Sequence, residues 1–282
     1  MRKFVTIAAL FLLTACSFNR AGKPADSGPE AFFSANLQRT GVFSSKAVEN
    51  PSGSNWQFQA EQWIATMPVV VENRVYFGSY DGNLYAVDAT TGAELWRFPM
   101  RDAVISSPAI SGETAFVGGM DGNLYALERK TGEERWRFAT RGPILASPAI
   151  ANGLVYTGSE DGNMYAINVN TGQEAWHITA DGPITFAAAV ADGLLIFGDG
   201  SGKLTAVKAI NGEAAWQKQV AAGAFTAGPV VGEGVIYALL SDAEQLGSLY
   251  AIDMATQQTR WVYPLTTESY SSPAVWGGLV FV

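Results

Sequence analysis

The stretch "DGNLYALERKTGEERWRF" at residues 121–138 decides the fold, because parts of it recur at a fixed spacing. Its first six letters also stand at residues 81–86, and "DGNMYA" stands at residues 161–166, so the interval is 40 residues both times. Tryptophans repeat at positions 56, 96, 136, 176, 216 and 261, with only the last interval longer. Two markers in one register predict an internally repeated architecture.

Each repeat predicts four short β-strands. In the second full unit they are "SPAIS", "TAFVGG", "LYALE" and "RWRFAT", which are rich in β-branched and aromatic residues and separated by Gly, Asp and Asn turn signals. Four antiparallel strands in about 40 residues, repeated around an axis, are typical of a β-propeller blade. We therefore predict an all-β fold, a β-propeller of four-stranded antiparallel blades.

The repeat count sets the expected ring. Five units are complete, starting at Met67, Ser107, Ser147, Ala187 and Ala227, and a partial sixth begins at Ser272. We expect an N-terminal strand to complete the last blade, because closure removes exposed sheet edges. The sixth unit stops after two strands at residue 282, so we expect the propeller, residues 31–282, to be truncated at its C-terminus and the natural ring to have about seven or eight blades.

The N-terminus has the features of an export signal. Residues 1–16 read "MRKFVTIAALFLLTAC", with two cations, an apolar run too short to span a bilayer, and the only cysteine of the chain, Cys16. "LTAC" resembles the lipobox of bacterial lipoproteins. The resemblance implies a signal peptide at 1–15, a lipid on Cys16 and a flexible tether at 16–30. With Ser17 next, it implies an outer-membrane anchor facing the periplasm, or the outer face of the cytoplasmic membrane where no outer membrane exists.

The charge balance excludes one class of partner. The chain has a net charge of −8, and loss of Arg2 and Lys3 with the signal peptide would make it −10. An acidic surface repels phosphates. We therefore expect no nucleic-acid partner.

The segments that end in tryptophan resemble the docking motif of PQQ-type propeller repeats. They read "AVDATTGAELW" at 86–96, "ALERKTGEERW" at 126–136, "AINVNTGQEAW" at 166–176, "AVKAINGEAAW" at 206–216 and, less closely, "AIDMATQQTRW" at 251–261, where Gln257 replaces the glycine. In that family the indole packs between blades. The resemblance implies a structural role for Trp96, Trp136, Trp176, Trp216 and Trp261, and for Gly92, Gly132, Gly172 and Gly212.

Catalysis has little support in the sequence. Quinoprotein alcohol dehydrogenases share the motif, but the adjacent cysteine pair usual in that family is absent. Asp81, Asp121 and Asp161 each occupy a separate hairpin, so we expect turn formers rather than metal ligands. His177 stands where other units carry Arg, Gln or Val, which favours a solvated strand face. We predict no catalytic residue, metal site or cofactor; the alternative is a quinone-, metal- or sugar-binding propeller of a dehydrogenase-like or sensor protein.

Binding is the better supported function. The links between units share one face with the "DG" turns, and their distinctive side chains are candidates for partner binding. These are Arg101, Asp102, Arg141, Asp181, Glu268 and Tyr270. A lipid-anchored propeller resembles the BamB family of envelope lipoproteins. That resemblance implies a scaffold for envelope proteins, with a component of the outer-membrane β-barrel assembly machinery as its partner.

Overall fold

The structure is a computed structural model that describes residues 31–32 and residues 56–282, except for 242–245, 268 and 277. The predicted signal peptide, Cys16, the tether and Glu268 lie outside the described residues. Within them, all regular structure is β, and no helix is long and apolar enough to cross a membrane.

The strands follow one another at short intervals along the chain. They are β1 (Ala31–Phe32), β2 (Val69–Val71), β3 (Arg74–Gly78), β4 (Asn83–Asp88), β5 (Glu94–Pro99), β6 (Ala109–Ser111), β7 (Thr114–Gly118), β8 (Asn123–Glu128), β9 (Glu134–Ala139), β10 (Ala149–Ala151), β11 (Leu154–Gly158), β12 (Asn163–Asn168), β13 (Glu174–Thr179), β14 (Ala189–Ala191), β15 (Leu194–Gly198), β16 (Lys203–Lys208), β17 (Ala214–Gln219), β18 (Ala224–Phe225), β19 (Val230–Gly232), β20 (Val235–Ser241), β21 (Gly247–Asp253), β22 (Thr259–Pro264), β23 (Ala274–Trp276) and β24 (Leu279–Phe281).

These strands form the predicted antiparallel blades. Blades 1 to 4 are the sheets β2–β5, β6–β9, β10–β13 and β14–β17, each paired in chain order. Blade 5 holds β19–β22, and β18 pairs with the extended end of β20. Blade 6 is the two-stranded sheet β23–β24. The all-β propeller expected from the repeat is confirmed.

The first hairpin of each blade turns through backbone conformations that the sequence signals. Asn152 and Gly153 have φ of 54° and 73°, and Asp192 and Gly193 have φ of 49° and 77°. Two consecutive positive φ angles are the signature of a type I′ turn, whose twist matches that of the paired strands. Asn, Asp and Gly tolerate this conformation, so "NG" and "DG" give tight hairpins at these places.

The pairing of third and fourth strands has a bulge at one repeated position. In blade 2, Ala126 faces Trp136 while the next residue, Leu127, faces Glu134, which leaves Arg135 as an extra residue in the fourth strand. A bulge bends its strand and re-aims side chains. The same shift follows Ala86, Ala166, Ala206 and Ala251. The small alanine therefore lies opposite each tryptophan.

The core lies between blades rather than within them. One cluster joins Leu84 and Trp96 of blade 1 to Ile110 and Val117 of blade 2, and further clusters link the later neighbours in turn. A single blade cannot bury both faces, so stacking supplies the stability.

The closing strand is where the structure differs from expectation. The N-terminal strand β1 pairs with β6, the first strand of blade 2, and not with blade 6. Residues 56–60 contact blade 1 without entering a sheet, although Trp56 packs on Gly92 as a fourth-strand tryptophan would. A fourth strand pairs with a third, and the described part of blade 6 holds only β23 and β24.

Candidate protein-binding face

The repeated aspartates form the turns of one propeller face, as the sequence predicts. Asp161 Oδ1 accepts the Asn163 N–H at 2.9 Å, and its Oδ2 accepts the Tyr165 hydroxyl at 2.7 Å. Burial alone would raise the pKa of Asp161, but hydrogen bonds from the Arg141 backbone, Tyr165 and Asn163 outweigh it and hold the pKa below its usual value. Asp81 and Asp121 make the equivalent bonds.

The same carboxylates also fix the links between blades. The second oxygen of Asp121 accepts the backbone N–H of Arg101 at 3.2 Å, and that of Asp161 accepts the N–H of Arg141 at 2.9 Å. Both oxygens of each carboxylate are therefore occupied by donors of the turn and of the link. We call the surface made of these links and turns the loop face.

Blade 4 reaches the same geometry with different residues. Asp199 stands two residues before the position of the usual aspartate and is 2% exposed. Its Oδ1 accepts the Ser201 N–H at 2.9 Å and the Ser201 hydroxyl at 2.5 Å, and its Oδ2 accepts the Asp181 N–H at 3.3 Å. Aspartate and serine have exchanged places relative to Ser159 and Asp161 of blade 3. The carboxylate serves the turn in both cases.

The tryptophans and glycines of the docking motif meet across blade boundaries. A Cβ built on Gly132 would lie 2.7 Å from Cε3 of Trp96, and Gly132 has a φ of 76°. The Trp96 indole N–H donates to the Arg129 carbonyl oxygen at 3.1 Å. The other pairs are Trp56 with Gly92, Trp136 with Gly172 and Trp176 with Gly212.

The last members of the series lack this arrangement. Gln257 stands in place of the next glycine and adopts the same left-handed conformation, with a φ of 58°. Trp216 packs into the cluster between blades 4 and 5. Trp261, in the fourth strand of blade 5, is 43% exposed.

Sequence reasoning missed a second ladder of glycines. A Cβ on Gly118, at the end of a second strand, would lie 2.2 Å from Cγ2 of Ile144 in the next link. Gly78 contacts Val104, Gly158 contacts Ile184 and Gly198 contacts Phe225 in the same way. The signal was present, since a glycine ends each of these second strands at the repeat spacing.

The candidate partner-binding residues lie on the loop face, with unequal freedom. Arg101 and Arg141 are exposed, whereas the Asp102 carboxylate accepts the Ala103 N–H at 2.7 Å. Asp181 forms an ion pair with Lys203. Tyr270, in the link to blade 6, is 68% exposed.

His177 belongs to a polar column on the outer strand. Its Nδ1 lies 2.7 Å from Oε1 of Glu174, and its ring lies 5.8 Å from that of Tyr165. Blade 2 has Arg137 at this place, over the ring of Tyr125. His177 is exposed and packs on Tyr165 as Arg137 packs on Tyr125. Its position is therefore on a solvated face of the strand. Within the described ranges, no group of three or more His, Cys, Asp or Glu residues is arranged to hold a metal ion.

Comparison with known proteins identifies the repeat. The family model described as "Beta-alanine-activating enzyme, beta-propeller" matches residues 50–282. No curated protein sequence matches the chain.

Solved structures share the fold at low sequence identity. BamB from Moraxella catarrhalis aligns with a TM-score of 0.69 and 18% identity over 79% of this chain and 70% of its own. The quinohemoprotein alcohol dehydrogenase of Comamonas testosteroni gives 0.72 and 15% over 85% of this chain, and ADHIIG of Pseudomonas putida HK5 gives 0.67 and 21% over 83%. The chain spans 49% and 47% of those two enzymes. The PQQ-type propeller resembling BamB is confirmed as a fold.

Proposed function

The chain belongs to the β-propeller family named for the beta-alanine-activating enzyme, and we propose that this propeller is a non-catalytic scaffold that binds a protein partner on its loop face. The observation that carries the proposal is the use of the repeated carboxylates. Asp81, Asp121 and Asp161 have both oxygens occupied by donors of their own turns and links. They fix the loops and leave exposed side chains of both charges for recognition.

The finer proposal concerns place and partner. The chain is lipid-anchored through Cys16 in the cell envelope, and its partner is a component of outer-membrane β-barrel assembly. Two observations support this: the lipobox resemblance of "LTAC" and the fold similarity to BamB from Moraxella catarrhalis. The interblade stacking that forms the core gives the loop face a fixed framework, which suits a scaffold.

Affinity capture tests this proposal. The tagged chain is expressed in cells of its source, envelopes are solubilised in detergent, and proteins that co-purify are identified by mass spectrometry. We expect a β-barrel assembly component with the parent chain and loss of membrane retention with Cys16→Ala. An unrelated tagged lipoprotein is the matched control. Capture of no assembly component would overturn the partner, and membrane retention of Cys16→Ala would overturn the lipid anchor.

A second candidate is favoured by one observation. The alignment with the quinohemoprotein alcohol dehydrogenase of Comamonas testosteroni has the higher TM-score, 0.72 against 0.69 for BamB. A quinone-binding propeller would place its ligand near the axis. Titration of the protein with pyrroloquinoline quinone and Ca²⁺, read by tryptophan fluorescence, separates the two functions: saturable quenching supports the quinone binder, and its absence supports the scaffold.

A further inference from the structure

Successive links of the loop face carry charged side chains at one equivalent position. These residues are Glu61, Arg101, Arg141 and Asp181, one in front of each of blades 1 to 4, and we call them the charge row. The backbone N–H of each donates to an Oδ2 atom, at 3.1, 3.2, 2.9 and 3.3 Å, and the acceptors are Asp81, Asp121, Asp161 and Asp199. Because one repeated bond fixes each backbone, the side chains leave the face from equivalent places. The row is negative, positive, positive, negative.

The two central arginines differ from the other arginines of the described residues. Arg101 and Arg141 have no ion-pair partner there, whereas each of the others pairs with a carboxylate, namely Arg74, Arg97, Arg129, Arg135, Arg137 and Arg260. The acid beside Arg101, Asp102, forms no ion pair with it, and its carboxylate accepts the Ala103 N–H at 2.7 Å. Thr140 and Gly142 flank Arg141 in the sequence, so neither sequence neighbour is an acid.

The ends of the charge row are partly neutralised within the protein. Asp181 pairs with Lys203, and Oε1 of Glu61 lies 3.9 Å from Nη1 of Arg97. Within the charge row, the unpaired positive charge is therefore confined to two adjacent links. In a chain with a net charge of −8, such a local patch is unusual, because most cations of the described residues are paired with acids.

We propose that Arg101 and Arg141 bind an acidic segment of the partner protein, with one carboxylate for each guanidinium. The inference rests on the proposed scaffold function and names the chemistry of its partner. Arginine presents a planar fork of donors that matches a carboxylate in two parallel hydrogen bonds. In an extended segment, alternate side chains lie on one face about 6.8 Å apart, so two acids spaced by one residue can both face the row.

The flanking acids select a protein over other anions. A phospholipid surface or a nucleic acid is uniformly negative, so it would bring phosphates against Glu61 and Asp181. A protein segment can place neutral or basic residues at those ends and acids in the centre. Like-charge contact disfavours the first arrangement and complementarity favours the second.

Peptide binding tests the inference directly. A fluorescent peptide with two aspartates at alternate central positions and lysines at both ends is titrated against the full chain by anisotropy. The control peptide has the same composition with lysines central and aspartates at the ends. We expect the acid-centred peptide to bind at least about tenfold more tightly, with binding weakened by salt.

Matched variants separate local from overall charge. The double variant Arg101→Gln/Arg141→Gln removes two charges from the loop face, and Lys130→Gln/Lys208→Gln removes two from the opposite end of the blades. We expect the arginine variant to bind the acid-centred peptide at least about tenfold more weakly than the parent. The lysine variant should change that affinity less than about twofold. Equal binding of both peptides, equal loss in both variants, or binding of vesicles rich in anionic phospholipid in place of the peptide would overturn the inference.

Envelope capture distinguishes this inference from the scaffold proposal. If the arginine variant loses the captured assembly component and the lysine variant keeps it, the result supports both the scaffold and the arginine site. Retention in both variants overturns the role of the arginines and leaves the scaffold in place. Discrimination between the peptides with no protein captured by any variant supports the arginine site and removes the proposed partner.

Discussion

Arg129 of blade 2 and Glu72 of blade 1 form a two-bond ion pair across the blade boundary. The two nitrogen–oxygen distances are both 3.1 Å, and the Arg129 side chain is 1% exposed. Its Nε also donates to the Gly112 carbonyl at 2.9 Å, and Nη2 reaches Glu113 at 3.2 Å. The Arg129 carbonyl accepts the Trp96 indole at 3.1 Å. Blades 1 and 2 are therefore joined through both the backbone and the side chain of one residue.

Substitution of Arg129 should destabilise the protein. Arg129→Met keeps most of the side-chain volume but leaves Glu72 and Glu113 without their shared cation and the Gly112 carbonyl without its donor. We expect a loss of about 3 kcal/mol in the free energy of unfolding, measured with urea. Arg135→Met, which breaks the exposed pair with Glu128, is the control and should cost less than about 1 kcal/mol. Equal losses would show that the buried pair contributes no more than a surface one.

The pH dependence of stability should report the same cluster. Hydrogen bonding to Arg129 lowers the pKa of Glu72 from its ordinary value of 4.5, and hydrogen bonding to Lys130 lowers the pKa of Glu113. A carboxyl with a lowered folded-state pKa contributes stability above its unfolded pKa and loses it as pH falls through the folded value. The stability advantage of the parent over Arg129→Met should therefore shrink below about pH 4.5 in melting experiments from pH 7 to 3. A difference that stays constant over this range would contradict the assignment.

The propeller could be predicted because its signals are local. The type I′ hairpin at Asn152 and the turn at Asp161 depend on residues within a few positions, and the repeat displays them several times. The Arg129 cluster could not be predicted, because Glu72 lies 57 residues away from Arg129 in the sequence. The sequence shows only that arginine stands where the other blades carry small or apolar residues, without naming the partner.

The candidate face was predicted in part for the same reason. The sequence marks charged residues in the links, and the structure shows which of them are free. The structure adds Glu61 to the charge row. It also shows that the Asp102 carboxylate accepts the backbone N–H of the next residue, Ala103. The bond from each link to the neighbouring turn joins two blades, so no pattern within one repeat could reveal it. The path of β1 depends likewise on contacts far along the chain.

Interblade docking can be measured with a pair of glycines that share one backbone conformation. Gly132 and Gly153 have φ of 76° and 73°, but a Cβ on Gly132 would lie 2.7 Å from Trp96 while a Cβ on Gly153 meets nothing within 4 Å. Gly153→Ala should cost about 1 kcal/mol, from left-handed strain alone. Gly132→Ala should cost about 3 kcal/mol, because it adds overpacking against the indole. Chemical unfolding of both variants gives the comparison, and equal costs would mean that the indole moves aside freely.

The exchanged aspartate and serine of blade 4 can be tested by transfer to blade 3. Asp161→Ser removes the acceptor for Asn163, Tyr165 and the Arg141 backbone, and should cost about 2 kcal/mol. Adding Ser159→Asp recreates the blade 4 arrangement, in which Asp199 binds both its turn and its link. We expect the double variant to recover about half of the loss in melting temperature, because the Tyr165 hydroxyl stays without the carboxylate. A double variant less stable than Asp161→Ser would show that the two turns are not interchangeable.

Two docking tryptophans, Trp136 and Trp176, differ in their hydrogen bonds. The Trp136 indole donates to the Val169 carbonyl at 3.0 Å, next to Phe116, which has no hydroxyl. Around Trp176 the neighbour is Tyr156, whose hydroxyl takes the equivalent carbonyl, that of Ala209, at 3.0 Å. The buried Trp176 indole nitrogen has no partner among the described residues.

Replacement of each indole by phenylalanine should therefore have unequal effects. Both substitutions lose packing area against the facing glycine, but only Trp136→Phe loses a hydrogen bond and leaves a carbonyl without its donor. We expect Trp176→Phe to be less destabilising than Trp136→Phe by about 1 kcal/mol in urea unfolding. Tyr156→Phe combined with Trp176→Phe is the control, since it also leaves the Ala209 carbonyl without its hydroxyl donor and should reach parity with Trp136→Phe. If Trp176→Phe is the more costly single change, the Trp176 indole nitrogen has a hydrogen-bond partner and the expectation is wrong.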